Sequence, residues 1–378
     1  MKLFSWAIVQ IFILVFLQFL ISNIKLLGKP PSGDFAYFYN TGQRVLIGQN
    51  PYIREGEPFL RNPPPALLIY SLLPLVPIKI SQITFFAISF MAFFIGSYFL
   101  FNAIGYRPGW THWLIYFIAV LIFFPFRYTL GSGHINNLLF LFIVLTFYFL
   151  KRKNEIASGF FLATAILLSV TPLFLAVILF LQKKFKILLW TILSLITVSF
   201  VTLLRFGFEI FKNYLSASTS YLDFGISAYY NQSLAALFTR IFNDPGLTQS
   251  IIFIILICSL LYFFYLIFKT KDNTDQGIII WNIGVIYLII FAPFAWQYHF
   301  VITIFPLLTT SYLILKTKQG FIFLFIVALS YSLIGYNIKH PQIFDKLNII
   351  GQIILSHVLI GTFILLILNF YLLRKVKI

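Results

Sequence analysis

Ten carboxylates occur in 378 residues. One of them, Asp34, stands where the first long apolar stretch gives way to polar sequence. It opens the segment Gly33-Asp-Phe-Ala-Tyr-Phe-Tyr-Asn40, and Asn62-Pro-Pro-Pro65 follows within the same gap. A carboxylate beside a bilayer can take a proton from a hydroxyl of a membrane-bound substrate, which is general-base chemistry. Three later segments gather polar groups that could answer an anion through charge-assisted hydrogen bonds. Arg127 is followed by His134, Asn136 and Asn137; Tyr229, Tyr230, Asn231, Gln232 and Ser233 precede Arg240; and Pro293 leads into Trp296, Tyr298 and His299. No Asp-x-Asp, no zinc-ligand spacing and no Gly-rich phosphate loop occurs, so neither a metal nor a cofactor is expected.

Each of these residues also has a plainer reading. Asp34, Asn136 and Asn137 sit where helices begin and could serve as caps. Trp296 and Tyr298 could be interfacial anchors, with His299 a solvated neighbour. Arg127 and Arg240 could pair with lipid phosphates. The single cysteine, Cys258, lies in an apolar run, which excludes an intrachain disulfide and a Cys-based zinc site.

The elements that must position these groups are apolar helices. A mean hydropathy of +0.95 and 10% charged residues exclude an ordinary soluble domain, in which about a quarter of residues are charged. Counting roughly 20 apolar residues per crossing, spans fall near 4–23, 81–103, 111–127, 134–150, 187–204, 248–268, 277–292, 299–315, 320–336 and 348–373. The first is too long for a cleaved signal peptide. Between Lys151-Arg-Lys153 and Lys183-Lys-Phe-Lys186 an apolar stretch broken at Thr171-Pro172 predicts two short helices. The total is about twelve transmembrane helices in one polytopic domain over 1–378, with outer loops at 24–80 and 205–247.

The net charge of +17 does not signal nucleic acid, because the basic residues sit in short clusters between apolar spans. Fifteen of the 27 fall in short loops that this arrangement makes cytoplasmic, along with both termini. None of the ten acids falls mid-span, which counts against an ion-coupled carrier. Within the first outer loop, Tyr37, Phe38, Thr41, Arg44 and Val45 recur at helical spacing after Asp34. Gly48-Gln-Asn-Pro-Tyr52 then supplies a turn. A surface helix over 63–77 is expected to lie on the membrane rather than cross it, given Pro74 and Pro77.

Taken in order, these motifs resemble those of glycosyltransferase family 87, a polyprenol-dependent mannosyltransferase-like group of the GT-C superfamily. They comprise an Asp and a Tyr after the first span, a Gly-x-Asn-Pro-Tyr turn, a Pro-Pro helix entry and a Gly-x-x-Asn helix start. An Asn-Gln-Ser loop and a late Trp-x-x-His complete the set, over about residues 5–310. The resemblance implies an all-α integral membrane protein of GT-C type in the plasma membrane, with juxtamembrane helices in an extracytoplasmic first loop. It also implies transfer of a sugar from a polyprenyl-phosphate donor to a lipid or glycan acceptor at the outer face. Asp34 takes the place of the family's base. Tyr37, Arg44, Arg127, His134, Asn136, Asn231, Gln232, Arg240, Trp296 and His299 are the expected substrate contacts. Two positions depart from the pattern: Ser169-Val precedes Thr171-Pro172 where a Lys is common, and His134 follows Gly133 where a Gln is common.

Two rival readings remain from the sequence, a transporter or flippase for a lipid-linked solute and a polymer ligase of related fold. A flippase needs a polar path through the bundle, whereas the polar residues here collect on one face.

Overall fold

A computed structural model describes residues 2–52, 60, 62–218, 227–269, 274–292 and 294–375. Pro293, which leads into the Trp296 segment, lies outside these residues, as do the loop residues Glu55, Glu57, Asp223, Lys271 and Asp272. The described chain is helical throughout, without a β-strand. In order the helices are α1 (Lys2–Gly28), α2 (Gly33–Leu46), α3 (Leu67–Tyr70), α4 (Ile78–Ala103), α5 (Trp110–Ile122) and α6 (Phe124–Ser132). There follow α7 (Asn136–Lys151), α8 (Glu155–Leu168), α9 (Leu173–Leu181), α10 (Phe185–Phe206), α11 (Glu209–Ser218) and α12 (Leu234–Phe242). The last six are α13 (Pro245–Lys269), α14 (Thr274–Ile290), α15 (Ile304–Lys316), α16 (Phe321–Gly335), α17 (Asn348–Leu355) and α18 (His357–Lys375).

Among the described residues six helices are long and apolar enough to cross a membrane, and a seventh crossing results if the bent α5–α6 pair counts as one. Their outward faces carry large apolar side chains in the open, such as Leu14, Leu204 and Phe268. Such faces fit hydrocarbon, and the protein is a membrane protein.

The structure redraws several sequence boundaries. The span expected at 111–127 bends by 62° between α5 and α6. Phe123 is extended there, and Pro125 enters α6 where its missing N–H leaves no bond unmade. The span expected at 348–373 breaks at Ser356 into α17 and α18. The single helix expected over 63–77 is instead α3 flanked by 3-10 turns at Pro64–Ala66 and Leu73–Leu75, because its prolines interrupt the helical ladder. The break at Thr171-Pro172 does yield the short pair α8 and α9.

Contacts divide the chain into two compact units, one of residues 1–170 with 189–221, the other of 171–188 with 222–378. In the first, α4 packs on α7 and α7 on α8. Phe93, Phe126 and Phe140 fill that interior, with Phe93 4.7 Å from Phe126 and 4.8 Å from Phe140 between ring centroids. In the second, α14, α15 and α18 enclose a buried polar knot. Asn282 donates to Asn369 Oδ1 at 2.9 Å and to Thr310 Oγ1 at 3.2 Å, and accepts from Thr309 Oγ1 at 2.6 Å. Helices in lipid gain little from hydrophobic contact with each other, so such bonds help choose helix partners.

Candidate active site

In the first unit the site is built on α2. Gly33, the first residue of the helix, takes φ +69, and Phe35, Phe38, Tyr39, Thr41, Gly42 and Val45 form its buried stripe. That spacing leaves Asp34 in the first turn, beside the stripe. The turn after α2 holds as its sequence suggests: Gly48 has φ +77, and the Tyr52 amide donates to Asn50 Oδ1 at 2.9 Å. Tyr52 is buried and its hydroxyl donates to the Asn62 carbonyl at 3.0 Å. Asn62 Nδ2 in turn donates to the Leu168 carbonyl at 2.7 Å, satisfying an acceptor that the end of α8 would otherwise leave open. The Asn-Pro-Tyr and Pro-Pro motifs therefore brace the floor under α2.

Gly133 ends α6 in the left-handed region, φ +70, and lies directly against Phe35. This contact brings Ser132 to Asp34, whose carboxylate accepts the Ser132 hydroxyl. The N-cap of α2 is Ser32 rather than Asp34, and no side chain caps the helix. No cation among the described residues pairs with Asp34. Burial raises its pKa from 3.8 to about 6, and the Ser132 bond opposes that rise. A carboxylate so placed is ionised at neutral pH yet basic enough to hold a proton, which suits a general base.

The other expected residues of this unit fall around the same helix with different exposure. Tyr37 is half-buried and edge-on to Phe38. Arg44 is half-buried in the last turn of α2, away from Asp34. His134 faces Phe38 at 5.8 Å between rings. Burial depresses its pKa to about 3 despite a hydrogen bond to Asn136, so it is a neutral imidazole. Asn136 and Asn137 are buried in the first turn of α7, whose N-cap is Ile135, so neither is the cap. Asn137 Nδ2 donates to Ser89 Oγ at 3.1 Å. Arg127 is exposed on α6.

In the second unit the Asn-Gln-Ser loop and the Trp-x-x-His segment meet as one built object. Asn231 bridges to Trp296 through the backbone. Gln232 N donates to the Ala295 carbonyl and Gln297 N to the Tyr230 carbonyl, at 2.8 and 2.9 Å. Asn231 Oδ1 accepts from Ala295 N at 3.0 Å, and Gln232 Nε2 donates to the Tyr229 and Leu355 carbonyls. Both side chains are buried, holding the loop in place. Trp296 and His299 are half-buried on its flank.

Arg240 crosses this arrangement. One terminal nitrogen donates to the Ser227, Ala228 and Asn231 carbonyls at 3.1–3.4 Å. The other donates to Ser356 Oγ at 2.6 Å. Burial lowers its pKa to about 10, which still leaves it cationic at neutral pH. No carboxylate among the described residues neutralises it. Beside it opens a cavity of about 440 Å³, lined by Tyr229, Thr239, Asn243, Gln342 and Gln352 among others. Ser132, Tyr70, Ser356 and Gln352 escaped the sequence reading. Only Ser132 carried a signal, its place between Gly131 and Gly133, two residues small enough to let another helix approach.

Helices that fit a membrane, a buried carboxylate with no cation beside it among the described residues, and a cavity beside a buried arginine define an integral membrane protein equipped for polar group chemistry. The sequence profile of glycosyltransferase family 87 matches residues 59–289. The chain belongs to that family, and it is a membrane glycosyltransferase that moves a sugar from a donor to an acceptor. The matched stretch includes Arg127, His134, Asn136, Asn231, Gln232 and Arg240; Asp34, Tyr37, Arg44, Trp296 and His299 lie outside it. No curated protein and no solved structure matches the chain.

Proposed function

We propose that this glycosyltransferase takes a hexose, mannose foremost, from a polyprenyl-phosphate donor and delivers it to a lipid- or envelope-linked acceptor at the outer face of the plasma membrane. The observation that carries the reading is the state of Asp34, which does not cap its helix, pairs with no cation among the described residues and is held near pKa 6 by burial. Asp34 accepts the proton of an acceptor hydroxyl as that oxygen bonds to the anomeric carbon. The bond from that carbon to the donor phosphate breaks, and its electron pair leaves with the lipid phosphate. One displacement inverts the anomeric centre. General-base assistance of this kind contributes about 10²–10⁴-fold.

The departing phosphate needs cations. Arg240, buried beside its cavity with no counter-ion among the described residues, is the principal one, with Arg127 and His299 as further candidates. Tyr37, Arg44, His134, Asn136 and Trp296 remain proposed substrate contacts, and Asn231 and Gln232 support them from within the loop. The deciding experiment is transfer of radiolabelled hexose from polyprenyl-phosphate donors in membranes expressing Asp34→Asn. The expected result is a loss of at least about a hundredfold with donor still bound. Near-normal turnover would remove Asp34 as the base.

A further inference from the structure

Tyr70 ends α3 with no exposed surface, and it meets α2 turn by turn. Its carbonyl lies against Gly42, where a Cβ would stand 2.0 Å from the oxygen. One helical turn towards the N-terminus its ring stacks on Phe38, with centroids 4.5 Å apart and planes 6° from parallel. One turn beyond Phe38 is Asp34, whose charge acts on the Tyr70 hydroxyl. Backbone, ring and hydroxyl thus track positions 42, 38 and 34, and the stack leaves the phenol little freedom to point elsewhere.

The two ends of this line have complementary deficits. The Tyr70 hydroxyl is buried and has no hydrogen-bond partner among the described residues, although buried hydroxyls are nearly always bonded. Asp34 has the Ser132 hydroxyl as its side-chain donor, while an ionised carboxylate offers about four acceptor sites. We propose that Tyr70 is the positioning residue for Asp34, its hydroxyl donating to the ionised carboxylate and fixing which oxygen faces the acceptor. The proposal rests on Asp34 being the base. Tyrosine keeps its proton throughout, and Asp34 takes only that of the acceptor. Catalytic hydrogen bonds are often long in unliganded proteins and tighten in the working state.

The other titratable groups around this point are few. Tyr37 lies on α2 itself, and His134 comes from the turn between α6 and α7. Lys79 of α4 is turned onto the Leu27 and Lys29 carbonyls. Tyr70 is therefore the titratable side chain from another helix whose removal should register at Asp34.

Tyr70→Phe keeps the ring on Phe38 and removes only the hydroxyl. Infrared titration of the protein in nanodiscs follows the carboxyl band, with Asp34→Asn identifying which band belongs to Asp34. Tyr70→Phe should raise the midpoint of that band by about one pH unit. The acid limb of sugar transfer should move with it, so that transfer near pH 6 falls about fivefold and recovers at high pH. Fluorotyrosine at position 70, a stronger donor of nearly the same shape, should move both the other way and guards against misfolding of the Phe variant. An unchanged midpoint in both variants would overturn the proposal. If the midpoint moves while Asp34→Asn still transfers sugar, the contact between the two residues stands and the base assignment falls.

Discussion

Gly133 and Phe35 touch so closely that a Cβ on Gly133 would lie 2.4 Å from the Cβ of Phe35. Gly133 also sits at φ +70, a region L side chains rarely adopt. One glycine therefore both ends α6 and sets the first turn of α2, where Asp34 stands. Gly133→Ala should meet strain twice, from the backbone at about 1–2 kcal/mol and from overpacking at about 1–3 kcal/mol. The variant should melt earlier and lose transfer by moving Asp34 from Ser132. Unchanged melting and activity would show that the two helices part easily.

The pH dependence follows from Asp34, whose pKa is raised above its unfolded value of 3.8 to about 6. Transfer requires the ionised form, so it should fall as pH drops through about 6, with unit slope on a logarithmic plot. Stability runs the opposite way. The folded state holds the proton more tightly, so this group favours folding most below about 4, and the advantage is lost as pH rises through 4–6. At pH 7 Asp34→Asn, always neutral, should therefore melt no lower than the parent while being inactive. A lower melting temperature would mean that the carboxylate serves the fold.

Arg240 has two separable roles, a charge beside the cavity and a brace to Ser356. Removing a charged hydrogen bond costs about 1.5–3 kcal/mol, so Arg240→Ala should weaken binding of polyprenyl phosphate in nanodiscs roughly ten- to a hundredfold. Ser356→Ala removes only the brace and should leave that affinity almost unchanged. If both variants lose affinity equally, Arg240 acts through loop geometry and not through charge.

The knot at Asn282 offers a test away from the reaction. Asn282→Leu removes one side-chain hydrogen bond each from Asn369, Thr310 and Thr309 within the α14–α15–α18 packing. Interhelical bonds of this kind are worth about 0.6–2 kcal/mol, so thermal stability in detergent should drop while donor affinity holds. A loss of affinity without a loss of stability would place the knot on the substrate path.

Topology can be read by labelling. The basic turns at Lys153, Lys183 and Lys318 each close a helix with a lysine at positive φ, and clusters of this kind resist translocation. A cysteine at position 153, in a Cys258→Ser background, should react only after cells are permeabilised. Reaction from outside intact cells would invert the arrangement, Asp34 included.

What the sequence by itself determined is local. The long apolar runs, the amphipathic stripe of α2 with Asp34 in its first turn, the Asn-Pro-Tyr turn and the break before α9 all follow from periodicity, proline and glycine, which act over a few residues. Even there the bend before Pro125 and the break at Ser356 were missed, since apolar composition alone cannot distinguish one straight span from two joined pieces. The partners of the working groups were decided only by the tertiary structure. Asp34 receives Ser132 from α6 and lies within the field of Tyr70; Arg240 reaches Ser356, 116 residues on, and Asn282 reaches Asn369, 87 residues on. Hydrophobic burial is non-directional, so it drives helices together without naming which side chains meet. Those pairings depend on close approach at Gly42 and Gly133 and on the path the chain takes between its helices.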